Sequence, residues 1–514
     1  MTSPNPETPS GARSVVCSFK LFQGSVLSLT GLAALFFLVT AVRFLPVTGD
    51  NMHPEAANVV IAERWAHGSS LYTDFRQAPY LLTAFPPLWY GALALASRAG
   101  VDGVDALTLF GRILNLTSLL CVAILGYLWQ RRLGLTPALA VLTPTSLLAF
   151  PLLLPWAVTA RPDFPMIFFG LFALWLAAFG AGAAGIALAA AAAAVSFLVR
   201  HSSVAVPTAI VLWLLWNRRR RHAAIFAAIW AVIVVAVLAP LDVHSGGLVR
   251  LNLTGPQFGN FDPRHAHQIL LKVVTATGNG FALGLLAFGL FGFVHAWRGD
   301  PRIRLVGLYF ATSLCFTVLL TMGAGNNVNH YLEPALAWAM LLPIGMDALK
   351  RTWVESSASN TLACVLVLVL LLPSLALQRW NMVGAQPPDF RRLAELARHR
   401  RVLADVPYVA ARSRIPELLD SVPHAYLERA GAWSPDPLVA DLDAKAYELV
   451  ILQRPIDDAR WATARYPTVG PQLLSAIARN YAFCFELETQ YVYGPVWSTG
   501  TRAGRPTCPD PPSP

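Results

Sequence analysis

Charged residues are sparse along this chain, and four short stretches gather enough of them to do chemistry. The first is 49–90, GDNMHPEAANVVIAERWAHGSSLYTDFRQAPYLLTAFPPLWY, directly after the first long apolar run. Asp50 stands where the chain leaves that run, with Glu55 close behind. A carboxylate in such a place can take a proton from a hydroxyl or amine nucleophile as general base. It can equally ligate a divalent cation, Mg or Mn, that neutralises a phosphate leaving group. The bland alternative is a solvated loop acid or helix cap, because 54–67 has the makings of a helix. In the second stretch, Arg161-Pro162-Asp163, Asp163 reads as a helix N-terminal cap. Arg161 calls for a phosphate or carboxylate partner, or else is a snorkelling surface charge. The third, Arg200-His201-Ser202-Ser203, interrupts apolar sequence, and ionisable groups at membrane depth are functional candidates; a plain turn is the alternative. The fourth, GAGNNVNHYLEP over 323–334, brings Asn329, His330 and Glu333 to a helix start. Such an end is an anion site, unless it is only a polar turn with Asn caps.

The elements that must hold these groups are membrane helices. The 514 residues are 55% hydrophobic and 13% charged, with a mean hydropathy of +0.51, against about 25% charged residues in a soluble domain. A spanning helix needs roughly 20 apolar residues. Candidate spans are 21–45, 107–130, 136–156, 163–179, 185–199, 204–216, 223–241, 279–297, 305–322, 331–346 and 361–377. The stretch 79–96 is shorter and holds Pro79, Pro86 and Pro87; it reads as interfacial or re-entrant, since proline at membrane depth suits backbone that lines a cavity. Basic clusters fall at Arg131-Arg132, Arg218 to Arg221, Arg298 to Arg304 and Lys350-Arg351. If all are cytoplasmic, the eleven spans alternate without conflict, the N-terminus is inside, and every chemically suggestive stretch is outside. The net charge of +10 is thereby absorbed in cytoplasmic loops and does not point to nucleic acid.

The expected fold class is an α-helical polytopic membrane protein of about 11–13 spans with a small C-terminal α/β domain. Its divisions are a cytoplasmic tail over 1–20, a membrane domain over 21–380 with an outer loop over 46–106, an outer α/β domain over 381–504 and a disordered proline-rich tail over 505–514. Within the α/β region, 444–453 runs into a buried strand, 391–400 and 472–480 have helical spacing, and 490–493 is a second strand. Cys484 and Cys508 form a disulfide there if the compartment is oxidising, or remain two free thiols. No Walker A, Gly-rich dinucleotide or HExxH motif is present, which argues against an ATP-driven pump or a zinc protease.

Taken in order, Gly49-Asp50, AERWAHGSSLYTDF, APYLLTAFPPLWY, GRILNL opening a span, RRLG closing it, ARPDF and GAGNNVNHYLEP resemble one family. They are similar to the integral-membrane GT-C glycosyltransferases, in particular the bacterial group related to protein O-mannosyltransferases and the aminoarabinose transferase of lipid A. The resemblance implies a GT-C-like fold and a sugar donor carried on a polyprenyl phosphate. It further implies transfer to an envelope glycan, lipid or protein acceptor on the periplasmic face of the bacterial inner membrane. In that family an acid in the first outer loop is the catalytic base or metal-associated group, and Asp50 matches it by position. A second acid commonly follows directly; here Asn51 takes that place and Glu55 lies further on. By side and charge, Arg161, Arg200 and His330 would meet the departing lipid phosphate, with Asp163, His201, Asn329 and Glu333 beside them. The prenyl chain would lie along 79–96. The competing readings are a transporter or flippase for a lipid-linked or anionic solute, and a catalytically inactive GT-C relative.

Overall fold

Apolar chain in lipid must satisfy its backbone hydrogen bonds internally, and this chain does so with helices. The computed structural model describes residues 10–50, 55–150, 152–254, 261–276, 289–297, 299–323, 326–353, 389–414, 416–417, 420–463, 468–496 and 506–510. The helices that matter here are α1 (Ser10–Phe44), α2 (Glu55–Ala66), α3 (Pro87–Arg98), α4 (Val104–Arg132), α5 (Asp163–Phe179), α6 (Gly182–Val199), α7 (Ala205–Trp216), α8 (Arg220–His244), α9 (Pro301–Thr321) and α10 (Leu332–Trp353). Among the described residues, six stretches are long and apolar enough to cross a membrane: Gln23–Phe44, Val104–Arg132, Gly182–Val199, Arg220–His244, Pro301–Thr321 and Val328–Lys350. The chain is a multi-pass membrane protein. Small residues let its helices close up: a Cβ on Gly170 of α5 would stand 2.9 Å from Val206 of α7.

One expected span is corrected. The stretch 136–156 is not a continuous helix but three short ones, Pro137–Ala140, Leu142–Leu148 and Leu153–Ala157. Pro144 and Pro155, each early in its short helix, lack the N–H that a continuous helix would bond one turn back. The stretch 79–96 divides at its prolines into non-helical chain and the 12-residue α3, too short to cross a bilayer. The expected span 361–377 and most of 279–297 lie outside the described residues.

The C-terminal region carries a four-stranded sheet in the order β1-β2-β4-β3, built from Val402–Ala404, Leu449–Leu452, Tyr481–Leu487 and Gln490–Pro495. β1 and β2 run parallel, and β4 is antiparallel to both β2 and β3. Helices Arg391–Ala397 (α11), Pro407–Ala410 (α12), Ser421–Arg429 (α13) and Pro471–Asn480 (α14) pack around it. Strands β2 and β4 match the sequence expectation; the three-residue β1 is too short to read from pattern. Cys484 and Cys508 are joined as a disulfide. The tail is correspondingly ordered over 506–510, where Pro506 bridges to Val496 and the Thr507 amide donates to Pro495 O at 3.0 Å, which corrects the expectation of disorder for that part.

The sheet domain does not stand apart from the loop between α1 and α4. Val59, Trp89, Tyr90 and Leu93 of the loop share one core with Phe390, Leu393, Val402, Tyr408 and Val409. Phe75, Tyr80 and Leu82 share another with Leu403, Trp433, Tyr447 and Leu473. The segment expected to lie beside a lipid therefore turns much of its apolar surface to protein.

Candidate active site

Asp50 lies six residues past the end of α1, and Thr48, Gly49, Ala56, Phe390 and Tyr408 place it. Gly49 adopts φ +147°, and a Cβ there would meet Phe390 at 2.7 Å, so only glycine permits this approach. The Phe390 amide donates to Thr48 O at 2.8 Å. One Asp50 carboxylate oxygen accepts from the Ala56 amide, the other from the Tyr408 amide of α12, both at 2.7 Å. The acid thus ties the start of α2 to the C-terminal domain. Burial and the nearby Glu55 charge push its pKa up to about 7, against the pull of those two amides and of Arg112.

Arg112 of α4 is the anchor of this loop, and its guanidinium is 1% exposed. Nη1 donates to Leu45 O and Val47 O at 3.0 and 2.6 Å, Nη2 to Gly49 O and Glu55 Oε2 at 2.5 and 2.7 Å, and Nε to Glu55 Oε1 at 2.7 Å. All five N–H donors of the group are used. Glu55 in turn accepts from the Ala160 amide at 2.5 Å. Its carboxylate is held by α4 and by the turn before α5, away from solvent, and it joins the Asp50 loop to the next cluster.

That cluster centres on Asp163, which is fully buried. One oxygen accepts from Arg200 and from Asn329 Nδ2, the latter at 2.9 Å; the other accepts from Arg161 Nε at 3.1 Å. Asp163 was expected to cap α5. It sits instead at the first helical position, makes no capping hydrogen bond, and spends its oxygens on two arginines, because two buried guanidiniums need a counter-charge more than one helix end needs a cap. Two guanidiniums thus share one buried aspartate, and Arg200 also feels the Glu333 carboxyl. Arg161 lies over the rings of Phe85 and Trp156 at 5.6 and 5.1 Å, and Arg200 over Phe85 at 6.0 Å. His330 sits where Arg161, Asp163, Arg200 and His201 all act on its charge, and its Nε2 is 2.9 Å from Asn326 Oδ1. Glu333 accepts from the Tyr309 hydroxyl at 3.2 Å and faces Arg200.

Asn115, one turn beyond Arg112, organises the turn that carries Arg161 and Asp163. Its Nδ2 donates to Trp156 O and Thr159 O at 2.6 and 2.9 Å, and its Oδ1 accepts from the Phe164 amide at 3.1 Å. Gly111 completes the contact, since a Cβ there would lie 2.7 Å from Ala160 Cβ. Sequence reasoning quoted GRILNL as a helix opening but named neither Arg112 nor Asn115 as site-builders. The available signal was an ionisable residue well inside an apolar helix. Asp420 and Tyr408, in a region without a marker of its own, had no such signal.

The described residues leave a divalent cation few open donors. Among the described residues no three His, Cys, Asp or Glu side chains gather into a metal cluster. Both Asp50 oxygens already accept backbone N–H bonds, and both Glu55 oxygens are bound by Arg112.

This arrangement, a polytopic helical bundle whose acid-bearing first loop packs against a small α/β domain, is a fold the chain shares with solved structures of ArnT and of an archaeal oligosaccharyltransferase. In particular it is similar to ArnT from Cupriavidus metallidurans bound to undecaprenyl phosphate, with a TM-score of 0.57 at 14% identity over 92% of this chain and 99% of that one. Apo ArnT from the same organism gives a TM-score of 0.55 at 13% identity, over 91% and 98% of the two chains. The apo oligosaccharyltransferase of Archaeoglobus fulgidus gives 0.51 at 12% identity, over 94% and 75%. No protein-family model matches the sequence, and no curated protein matches it significantly.

Proposed function

We propose that this chain is a membrane glycosyltransferase that moves a sugar from a polyprenyl-phosphate donor to an envelope glycan, lipid or protein acceptor, with Asp50 as general base. The supporting observation is the junction at Glu55: one buried carboxylate links Arg112, which holds the Asp50 loop, to Ala160, which adjoins Arg161. Asp50 and the Arg161–Asp163–Arg200 cluster are thereby held by one connected set of hydrogen bonds, in a fold shared with a protein solved bound to undecaprenyl phosphate.

In the proposed reaction the acceptor oxygen or nitrogen attacks the anomeric carbon, and the bond from that carbon to the phosphate oxygen breaks with inversion. The acceptor's proton passes to Asp50, which a pKa near 7 suits to this task at neutral pH. The negative charge left on the lipid phosphate is met by Arg161 and Arg200, with His201 and His330 alongside. Asp163, Asn329 and Glu333 hold those cations. Placing the basic clusters in the cytoplasm puts the N-terminus inside and the site and C-terminal domain in the periplasm.

Lipid-linked glycans and envelope polysaccharides compared between wild type and a deletion strain test the reading. A sugar decoration should vanish on deletion, return with the wild-type gene, and stay absent with Asp50→Asn. Full restoration by Asp50→Asn would refute the base assignment. Labelled sugar moved across the bilayer without appearing on an acceptor would refute transfer and favour transport.

A further inference from the structure

The end of the helix bundle away from Asp50 carries arginines that the proposed reaction does not use. Arg132 closes α4, 20 residues beyond Arg112. That is about 30 Å of helix, close to the thickness of a hydrocarbon core. At this end Arg132, Trp175, Phe179 and Arg302 form a ladder of guanidiniums on aromatic faces, drawn from α4, α5 and α9. Arg132 lies 5.9 Å from the Trp175 ring centroid, the Trp175 and Phe179 centroids are 4.7 Å apart, and Arg302 lies over Phe179 at 5.1 Å. The fully buried Trp129 packs edge-on against both rings, at 6.0 and 5.1 Å, and holds them in place. Beside the ladder opens a cavity of about 330 Å³ lined by Leu128, Arg131, Arg132 and Trp175. Among the described residues no carboxylate pairs with these three arginines. Arg131 donates to Leu135 O at 3.2 Å. Asp300, the cap of α9, spends its Oδ1 on the Arg302 backbone amide at 2.7 Å.

We propose that this cavity binds an anionic phospholipid, with its phosphodiester on Arg131 and Arg132, Arg302 flanking it across Phe179, and an acyl chain along Leu128 and Trp175. An aromatic face attracts a guanidinium but accepts few of its five N–H donors. Three such groups without a carboxylate partner call for an occupant with negative charge and several acceptor oxygens, and the planar guanidinium fork matches phosphate. The lining joins an arginine rim to an apolar side, which fits an amphiphile better than a free phosphate. The place is also right for a headgroup. Helix α5 has 17 residues, about 25 Å, and a span shorter than the roughly 30 Å core draws the bilayer surface inward beside it. Basic pockets between helices at the end that the arginine clusters assign to the cytoplasm are where anionic headgroups bind. Arginines that merely snorkel toward water would need neither the aromatic ladder nor the cavity, and would show no preference among lipids.

The test gives the purified full chain, in mild detergent, equal amounts of phosphatidylglycerol and phosphatidylcholine with matched chains, and reads the lipid it retains by native mass spectrometry. Wild type should retain phosphatidylglycerol over phosphatidylcholine by about fivefold or more. Arg132→Gln should cut that ratio by half or more, and Arg132→Gln with Arg302→Gln should bring it close to one. The single variant keeps the proposal testable if the double does not fold. Trp175→Leu keeps every charge and should still weaken the preference. The end of α7 lies at the same end of the bundle, where Trp213 Nε1 donates to Pro301 O at 2.7 Å, so Arg221 near the start of α8 serves as control, and Arg221→Gln should leave the ratio unchanged. Glycerol 3-phosphate, which has the charge but no chain, should not displace the lipid. Equal retention of the two lipids by wild type, an unchanged ratio in Arg132→Gln, the same loss in Arg221→Gln, or displacement by glycerol 3-phosphate overturns the site.

Discussion

The Arg112–Glu55 pair offers the sharpest test of how the site is held, through a double-mutant cycle with leucine at each position. Removing one partner of a buried ion pair leaves a buried charge uncompensated, at a cost of about 3–5 kcal/mol. Arg112→Leu does this to Glu55, which keeps the Ala160 amide as a donor, and it also strips the donors from Leu45 O, Val47 O and Gly49 O. Its loss should fall at the upper end of that range. Glu55→Leu leaves Arg112 with those three carbonyls as acceptors and should fall at the lower end. In the double variant no charge is left buried, so its loss should be about 2–3 kcal/mol smaller than the sum of the singles, within the coupling seen for residues in direct contact. Thermal or SDS denaturation of the purified protein measures all four corners, and hydrogen exchange over 45–66 shows whether the Asp50 loop is what loosens. Strict additivity, or an Arg112→Leu loss below about 1 kcal/mol, would show that the pair does not hold the loop.

Asp163→Asn should cost about 3–5 kcal/mol, because Arg161 and Arg200 then lose the buried carboxylate they share; thermal denaturation checks this, and adding Arg200→Gln should recover part of the loss. Cys484→Ser opens a disulfide between residues 24 apart and should destabilise the C-terminal domain by about 3 kcal/mol, read as the difference between variant and wild type without reductant. Burial raises Asp405 to about 7 from about 3.9 in an unfolded chain. Its contribution to stability is therefore full at low pH and is lost as pH rises through 7. Asp405→Asn keeps acceptors for the Gln453 amide, so it should narrow the difference in melting temperature between pH 5 and pH 8.

The helices that lie wholly in apolar sequence were the legible part of the fold, since hydrophobic length and a basic end suffice to find a span. Asp163–Phe179 and Ala205–Trp216 lie within a residue of their expected limits. The break between Ala140 and Leu153 was visible only as prolines, whose effect depends on whether neighbouring helices restore the missing hydrogen bonds. Of the candidate residues, Arg161, Asp163, Arg200 and Asn329 do converge, and what marked them was charge in apolar surroundings. Which of them neutralises which was not readable, because the partners come from different helices. The buried Asp420 stayed hidden for another reason. In a domain where charge is common, nothing local separates a surface acid from a buried one.

The geometry of the site reduces to the pitch of one helix. Arg112 and Asn115 are three residues apart on α4 and so project from neighbouring points of one face; the first gathers the Asp50 loop, the second the turn bearing Arg161 and Asp163. Both of those segments are irregular backbone at helix ends, the part of a membrane protein least able to hold its own shape. A rigid helix that supplies five donors to one segment and three hydrogen bonds to the other converts two flexible turns into a fixed distance between acid and cations. Gly111 serves the same end by letting Ala160 approach. What determines where Asp50, Arg161 and Arg200 stand is thus the buried GRxxN face beneath them, and Glu55, for all its proximity to Asp50, belongs with that support.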